Sequence, residues 1–175
     1  MRGHQSDRLA RWAGLTMGAT IVVAFVVAGR IPPGTGSIGA YVSVIAIPSG
    51  TLSVDHPGPL LVANDMRPGT TSRTGPTASL HITNITGHPL EVHLHALPST
   101  TTLNDQLRMR VATHRGVLLR GTVGSLGRWS PQSISLEAGG SAEVEVAVWL
   151  PASATGYQGA IEDVSLEFHT HAPGA

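Results

Sequence analysis

The chain has 175 residues, a formal net charge of zero and only 13% charged residues; cysteine and lysine are absent, so all eleven basic residues are arginine. Without cysteine there is no disulfide framework, thiol nucleophile or thiolate metal centre. The balanced charge builds no basic face for a phosphate backbone, which sets nucleic acid aside as a partner. The length suits one domain of ordinary size plus a targeting segment, and such a domain buries a core without staples.

Residues 1–39 come first. Arg2, Arg8 and Arg11 form a basic start, and Ala13 to Gly29 is uncharged and apolar, with Arg30 beyond it. This order is that of a secretory signal. The alternative is a retained membrane anchor through residues 13–29, a run at the short edge of what spans a bilayer. Gly14, Thr16, Gly18 and Thr20 dilute the run and favour the signal. Ser37 and Gly39 suit processing before Ala40, and Val26 with Ala28 offer an earlier position. The remainder, 40–175, then carries seven Arg against ten Asp plus Glu.

Beyond residue 40 the apolar residues alternate with polar ones, the period of a half-buried strand. "TASLHITN" sets Ala78, Leu80 and Ile82 on one side, and "PLEVHLHA" sets Leu90, Val92, Leu94 and Ala96 inward with Glu91, His93 and His95 outward. In "QLRMRVATH" the inward set is Leu107, Met109 and Val111, with Arg108 and Arg110 outside. "SAEVEVAVWL" places Ala142, Val144, Val146, Val148 and Leu150 against Glu143, Glu145 and Trp149. The last strand, "EDVSLEFHTH", places Val164, Leu166 and Phe168 against Ser165, Glu167 and His169. Residues 41–63 and 112–130 are apolar without clean alternation. "DMRPGTT", "NITGHP", "SLGRWSP" and "EAGGS" are turn chemistry, and the "NIT" at Asn84 reads as a hairpin turn. Strands with one wet and one dry face close in pairs of sheets, which predicts an all-β fold: an antiparallel β-sandwich of about seven to nine strands, jelly-roll or immunoglobulin-like.

Four blocks, in order, resemble the TasA/CalY (camelysin) family of exported proteins, which includes biofilm-matrix fibre subunits. They are a signal segment running into "AYVS" and "SGTLSVD"; the turn "NDMRPGTT", Asn64 to Thr71; "LHITNITGHPLEVHL", Leu80 to Leu94; and the closing "YQG" and "VSLEF". Thr70 stands where the family often has Asp, and "RIPPGTGSI" separates the apolar run from Ala40. The resemblance implies a jelly-roll-like sandwich, export and release by a dedicated signal peptidase. In fibre-forming members the freed N-terminal segment inserts as a strand into the next subunit. Here that donor is "AYVSVIAIP", residues 40–48, with Tyr41, Val42, Val44, Ile45 and Ile47 as its apolar side chains. The partner is then a second copy of the chain, added head to tail. Trimming 40–48 is expected to abolish assembly and leave a folded sandwich.

Nine histidines are the compositional oddity. His93 and His95 share one strand face, and His169 with His171 repeat the arrangement. If the two strands are neighbours, three or four imidazoles surround a zinc or copper ion, with Glu91 and Glu167 beside them. The bland reading is four solvent-facing neutral polar residues. His81 is a lesser candidate, and His88 belongs to a turn. No His-Glu-x-x-His helix and no Gly-x-Ser-x-Gly elbow is present, so no catalytic residue is assigned and the chain reads as a non-enzyme. Two rival functions stand beside the structural one: a metal-binding or metalloprotease-like module on these histidines, and a membrane-anchored monomeric binding domain.

Overall fold

The computed structural model describes residues 38–99, 102–157 and 159–173. The leader, with Arg2, Arg8, Arg11 and the apolar run 13–29 read as signal or anchor, lies outside the described residues, as does Gln158 in the Tyr-Gln-Gly turn. Among the described residues no helix is long and apolar enough to cross a membrane.

Among the described residues, ten strands form two sheets. In chain order they are β1 (Ile38–Ala46), β2 (Leu52–Val54), β3 (Gly58–Met66), β4 (Thr77–Asn84), β5 (Leu90–Pro98), β6 (Arg108–Thr113), β7 (Gly116–Thr122), β8 (Ile134–Leu136), β9 (Ser141–Trp149) and β10 (Ile161–His171). One sheet runs β3-β1-β10-β5-β8 and the other β2-β4-β9-β6-β7. The expected two-layer β architecture is present, with all ladders antiparallel except β1 against β10. The strand count exceeds the expected range because β2 and β8, three residues each, are too short to show a period.

The dry faces close on one core. Leu80, Ile82, Val144 and Val146 from one sheet meet Val92, Leu94, Leu166 and Phe168 from the other, all buried. Each such side chain contributes roughly 1.5–3 kcal/mol by leaving water, which is why the alternation dictates the layers. The outward arginines pair weakly: Arg110 meets Glu145 at 2.7 Å on an exposed face, an arrangement worth at most about 1 kcal/mol.

The connections differ from the expected hairpins. Only β6 and β7 are chain neighbours that pair; every other consecutive pair of strands lies in opposite sheets. The "NIT" turn is therefore no hairpin, since it carries the chain from β4 in one layer to β5 in the other. Asn84 holds this arch. Fully buried, it donates from Nδ2 to the carbonyls of His88 at 2.7 Å, Glu137 at 3.0 Å and Leu136 at 3.2 Å. Its Oδ1 accepts from the Thr86 backbone N–H at 2.8 Å and hydroxyl at 2.7 Å. An amide satisfied from both ends ties two layers without a wet gap.

The donor segment occupies an interior place. β1 pairs antiparallel with β3 on one side and parallel with β10 on the other. Ile38, Ala40, Val42 and Val44 are buried; Tyr41 and Ile45 are half-buried on the outer face, and Ile47 packs against the core just past the strand. The strand begins at Ile38, so a boundary before Ala40 cuts it: Gly39 already donates its N–H to the Ala160 carbonyl at 2.9 Å. Removing 40–48 would take an inner strand out of the sheet and expose the core between β3 and β10. The expectation that a trimmed chain keeps a folded sandwich is corrected accordingly.

One acid breaks the alternation. Glu162 is fully buried in phase with Val164, Leu166 and Phe168, opposite Ala40 of β1. The Ser99 hydroxyl donates to its Oε1 at 2.8 Å, which offsets part of the desolvation of a buried carboxyl.

Candidate functional site

β5 and β10 are neighbours, and their register decides what the four outward histidines do. His93 stands directly opposite His169, His95 opposite Glu167, and Glu91 opposite His171. Because side chains alternate along each strand, all of these project from the same outer face. Two period-2 patterns, 74 residues apart from His95 to His169, thus converge into one imidazole patch.

The loop before β8 completes the patch. Ser130, almost fully buried, donates its N–H to the Leu94 carbonyl at 2.7 Å and accepts the Leu94 N–H on Oγ at 3.0 Å. Its hydroxyl donates to the Gln132 carbonyl at 2.7 Å. The loop therefore runs beside β5 as an added strand would, bridging His95 to Trp129. That fixes Trp129 over the histidines: its ring centroid lies 4.9 Å from that of His95 and 5.5 Å from that of His169. Trp129 stays 45% exposed. His93, Trp129, Ser130, His169 and His171 line an open pocket of about 410 Å³.

The imidazoles are not equivalent. His93 Nδ1 lies 3.1 Å from the Ser130 carbonyl oxygen. A carbonyl only accepts, so Nδ1 is the donor in this contact. His169 Nδ1 and His171 Nε2 are 2.9 Å apart and share one proton between them. The His171 ring meets that of His93 edge-on at 5.6 Å. Burial, then the neighbouring His171 and His93, pull the His169 pKa below its ordinary 6.5, which keeps that ring neutral at neutral pH.

His95 is set apart. Its Nδ1 faces Glu167 Oε2 at 3.6 Å, and its Nε2 is buried without a hydrogen-bond partner beside Trp129. Among the described residues no three His, Asp or Glu donors are positioned around a single metal point. The sequence expectation of clustering on neighbouring strands thus meets a grouping in which His93, His169 and His171 face the pocket and His95 does not. Trp129 and Ser130 were missed from the sequence; their one signal is an indole in the turn "LGRWSP", where an aromatic ring has no core to join.

His81 and His88 lie elsewhere. His81 is on β4, where its N–H and Nδ1 meet the Asp55 carboxylate at 2.9 and 3.1 Å. That backbone hydrogen bond, with His56 and the His81 ring, lowers the Asp55 pKa from 3.8 to about 2. The His88 carbonyl is a partner of Asn84 in the arch.

Against known proteins, no family model matches the chain and no curated protein is significantly similar to it.

Proposed function

We propose that this chain is an exported, non-enzymatic structural protein of the bacterial surface or matrix, similar to the TasA/CalY family, that joins copies head to tail by exchanging β1. The leader reads as the export signal, and the sandwich as jelly-roll-like.

The observation that carries this reading is the position of β1. It is the first strand of the described fold, and it fills a slot bordered by β3 and β10. Withdrawn, it leaves two rows of unpaired backbone groups and the places of Ile38, Ala40, Val42 and Val44. Such a slot selects its occupant by backbone pairing and alternate side chains, and the occupant with the matching set is β1 of another copy. The ladder that β1 forms in a neighbouring copy is the same ladder it leaves at home, as in any strand swap, so exchange is governed by the hinge and the concentration of copies. The hinge is the tight turn from Pro48 to Leu52, in which Thr51 and Leu52 donate back to the Pro48 carbonyl. A short hinge invites intermolecular exchange. Because each copy gives its strand onward without receiving it from the same partner, the contact does not close and a filament grows. Processing near Val26 and Ala28 keeps β1 whole; processing before Ala40 removes Ile38 and Gly39 from it.

Ser43 of β1 and Ser165 of β10 are ladder partners on the outer face, and the chain lacks cysteine. Single variants Ser43→Cys and Ser165→Cys are therefore mixed under mild oxidation. Exchange predicts a covalent heterodimer linked between positions 43 and 165, mapped by mass spectrometry, while the double variant held dilute closes within one chain. If the double variant closes internally but the mixture yields no 43–165 linkage even under assembling conditions, strand exchange is wrong.

A further inference from the structure

The pocket over the start of β5 and the end of β10 lies beyond Glu167, the last β10 residue paired with β1, so it stands apart from the strand-exchange slot. We propose that it is a carbohydrate-binding site, in which the Trp129 indole stacks on one uncharged pyranose unit of an oligosaccharide and the histidine rings hydrogen-bond to its hydroxyls.

The indole is the anchor. Val62, Ile85 and Trp129 are the exposed large hydrophobic residues among the described ones, and of these Trp129 alone carries an aromatic ring. It is held from two directions. The next residue, Ser130, is laced to both backbone groups of Leu94, and the His95 ring packs against the indole at 4.9 Å between centroids. His95 lines no part of the pocket, and its Nε2 is buried without a hydrogen-bond partner. That burial costs free energy, and what it accompanies is an indole fixed in place with nearly half its surface in water. An aromatic ring held in this way stacks on a ligand at little ordering cost.

Ser130 also sets the second wall, because its carbonyl accepts from His93 Nδ1 at 3.1 Å. His169 and His171 add a matched pair of polar groups. His169 Nδ1 and His171 Nε2, 2.9 Å apart, hold one proton between them. In the neutral pair, the ring that donates keeps a bare acceptor on its other nitrogen, and the ring that accepts carries its own proton on the other. Whichever way the shared proton sits, the two rings offer one acceptor and one donor. A sugar hydroxyl both donates and accepts, and adjacent hydroxyls of a pyranose meet such a set. The lowered His169 pKa, caused by burial and then by His171 and His93, keeps that ring uncharged at neutral pH.

Size and charge select the ligand class. The pocket, about 410 Å³, is at the small end of ligand sites, which run roughly 300–1,000 Å³. Among the described residues that line it there is no Asp, Glu or Arg, so it carries no fixed charge to attract an ion. An apolar indole wall stands beside polar ring nitrogens, and a pyranose divides in the same way, with C–H faces for the aromatic ring and a rim of hydroxyls for the imidazoles. A phosphate or a simple carboxylate lacks the apolar face, and a wholly apolar ligand strands the ring nitrogens.

The full chain, isotopically labelled, is titrated at neutral pH with neutral hexasaccharides of glucose, galactose, mannose and N-acetylglucosamine, and with a hexauronate, followed by nuclear magnetic resonance and calorimetry. The expected result is binding of at least one neutral hexasaccharide with a Kd of about a millimolar or tighter. It shifts the indole N–H of Trp129 and the ring signals of His93, His169 and His171, and leaves those of His81 and His88 in place. Trp129→Ala weakens this binding by at least about tenfold, and His171→Ala by about threefold or more. Circular dichroism checks that the variants fold; His171 is exposed at a strand end, so its variant decides the matter if Trp129→Ala does not fold. No neutral hexasaccharide bound at about ten millimolar, affinity unchanged by His171→Ala or by a folded Trp129→Ala, or a hexauronate that binds more tightly than every neutral probe each overturns the site.

Discussion

The backbone N–H of Leu150 donates to the Thr70 hydroxyl at 3.1 Å, while the Leu150 carbonyl accepts from the N–H groups of Gly69 and Thr70 at 3.0 and 3.1 Å. The Pro-Gly turn after β3 is thereby docked onto the Leu-Pro corner after β9. Two turns far apart in sequence are thus one structural joint. Pro151 ends the ladder at this point because it has no N–H to offer, and the threonine hydroxyl takes the last strand donor instead. Thr70→Val removes that acceptor from a buried N–H and is expected to cost about 1–2 kcal/mol. Thr70→Ser restores most of it. Urea denaturation of the two variants checks the difference.

Gly75 lies in the loop leading to β4, where the chain passes close to the end of β9. A methyl group on Gly75 would collide with the Val148 carbonyl oxygen and come within 3.0 Å of Trp149 Cβ. Both obstacles are anchored: Val148 donates its N–H to the Pro76 carbonyl at 3.1 Å. Gly75→Ala is expected to destabilise by about 1–3 kcal/mol through overpacking. Gly127→Ala, where an added methyl meets nothing within 4 Å, is the matched control and leaves the thermal midpoint nearly unchanged.

Acid acts on the fold in two windows. The His169 pKa is lowered by burial and by His171 and His93, so the unfolded chain takes up that proton first. Its contribution is full above about pH 6.5 and is lost as pH falls below that value. The groups facing it are His93 and His95 across the ladder, Glu167 and His171 on its own strand, and Trp129 above. Asp55 works the other way in sign of charge and the same way in slope. With a folded pKa of about 2 against 3.8, it stabilises above about pH 4, and that support fades as pH falls towards 2. Its exposure keeps the effect small. Urea midpoints measured from pH 8 to 3 are expected to fall in two steps; His169→Gln flattens the upper one and Asp55→Asn the lower.

The dry phase of β9 and β10 was legible because every second residue is apolar and each strand has one wet face. The same rule would have flagged Glu162, which sits in phase with Val164 and Leu166, yet a carboxylate at the start of a strand reads as its wet end. The Ser99 hydroxyl, just past the end of β5, helps make the burial tolerable. β2 and β8 escaped because three residues carry no period, and β3 because Pro59 and the positive φ of Asp65 interrupt it. Sheet order was beyond the pattern: nearly every connection crosses between layers, so neighbours in sequence are not neighbours in a ladder. The pairing of His93 with His169 is of that kind. Each histidine pair could be placed on a strand face, but the meeting of the two pairs, and of Trp129 with them, is fixed by long-range register.

The parallel run of β1 beside β10 gives the molecule a polarity. β1 starts where Gly39 abuts Ala160 and Ile161, whereas His169 lies eight residues beyond Ile161 on β10, roughly 26 Å away at the rise of a strand. The start of β1 therefore marks one pole of this sheet, and the imidazoles crown the other. The indole and histidines thus sit together at the far end of β10 from the start of β1.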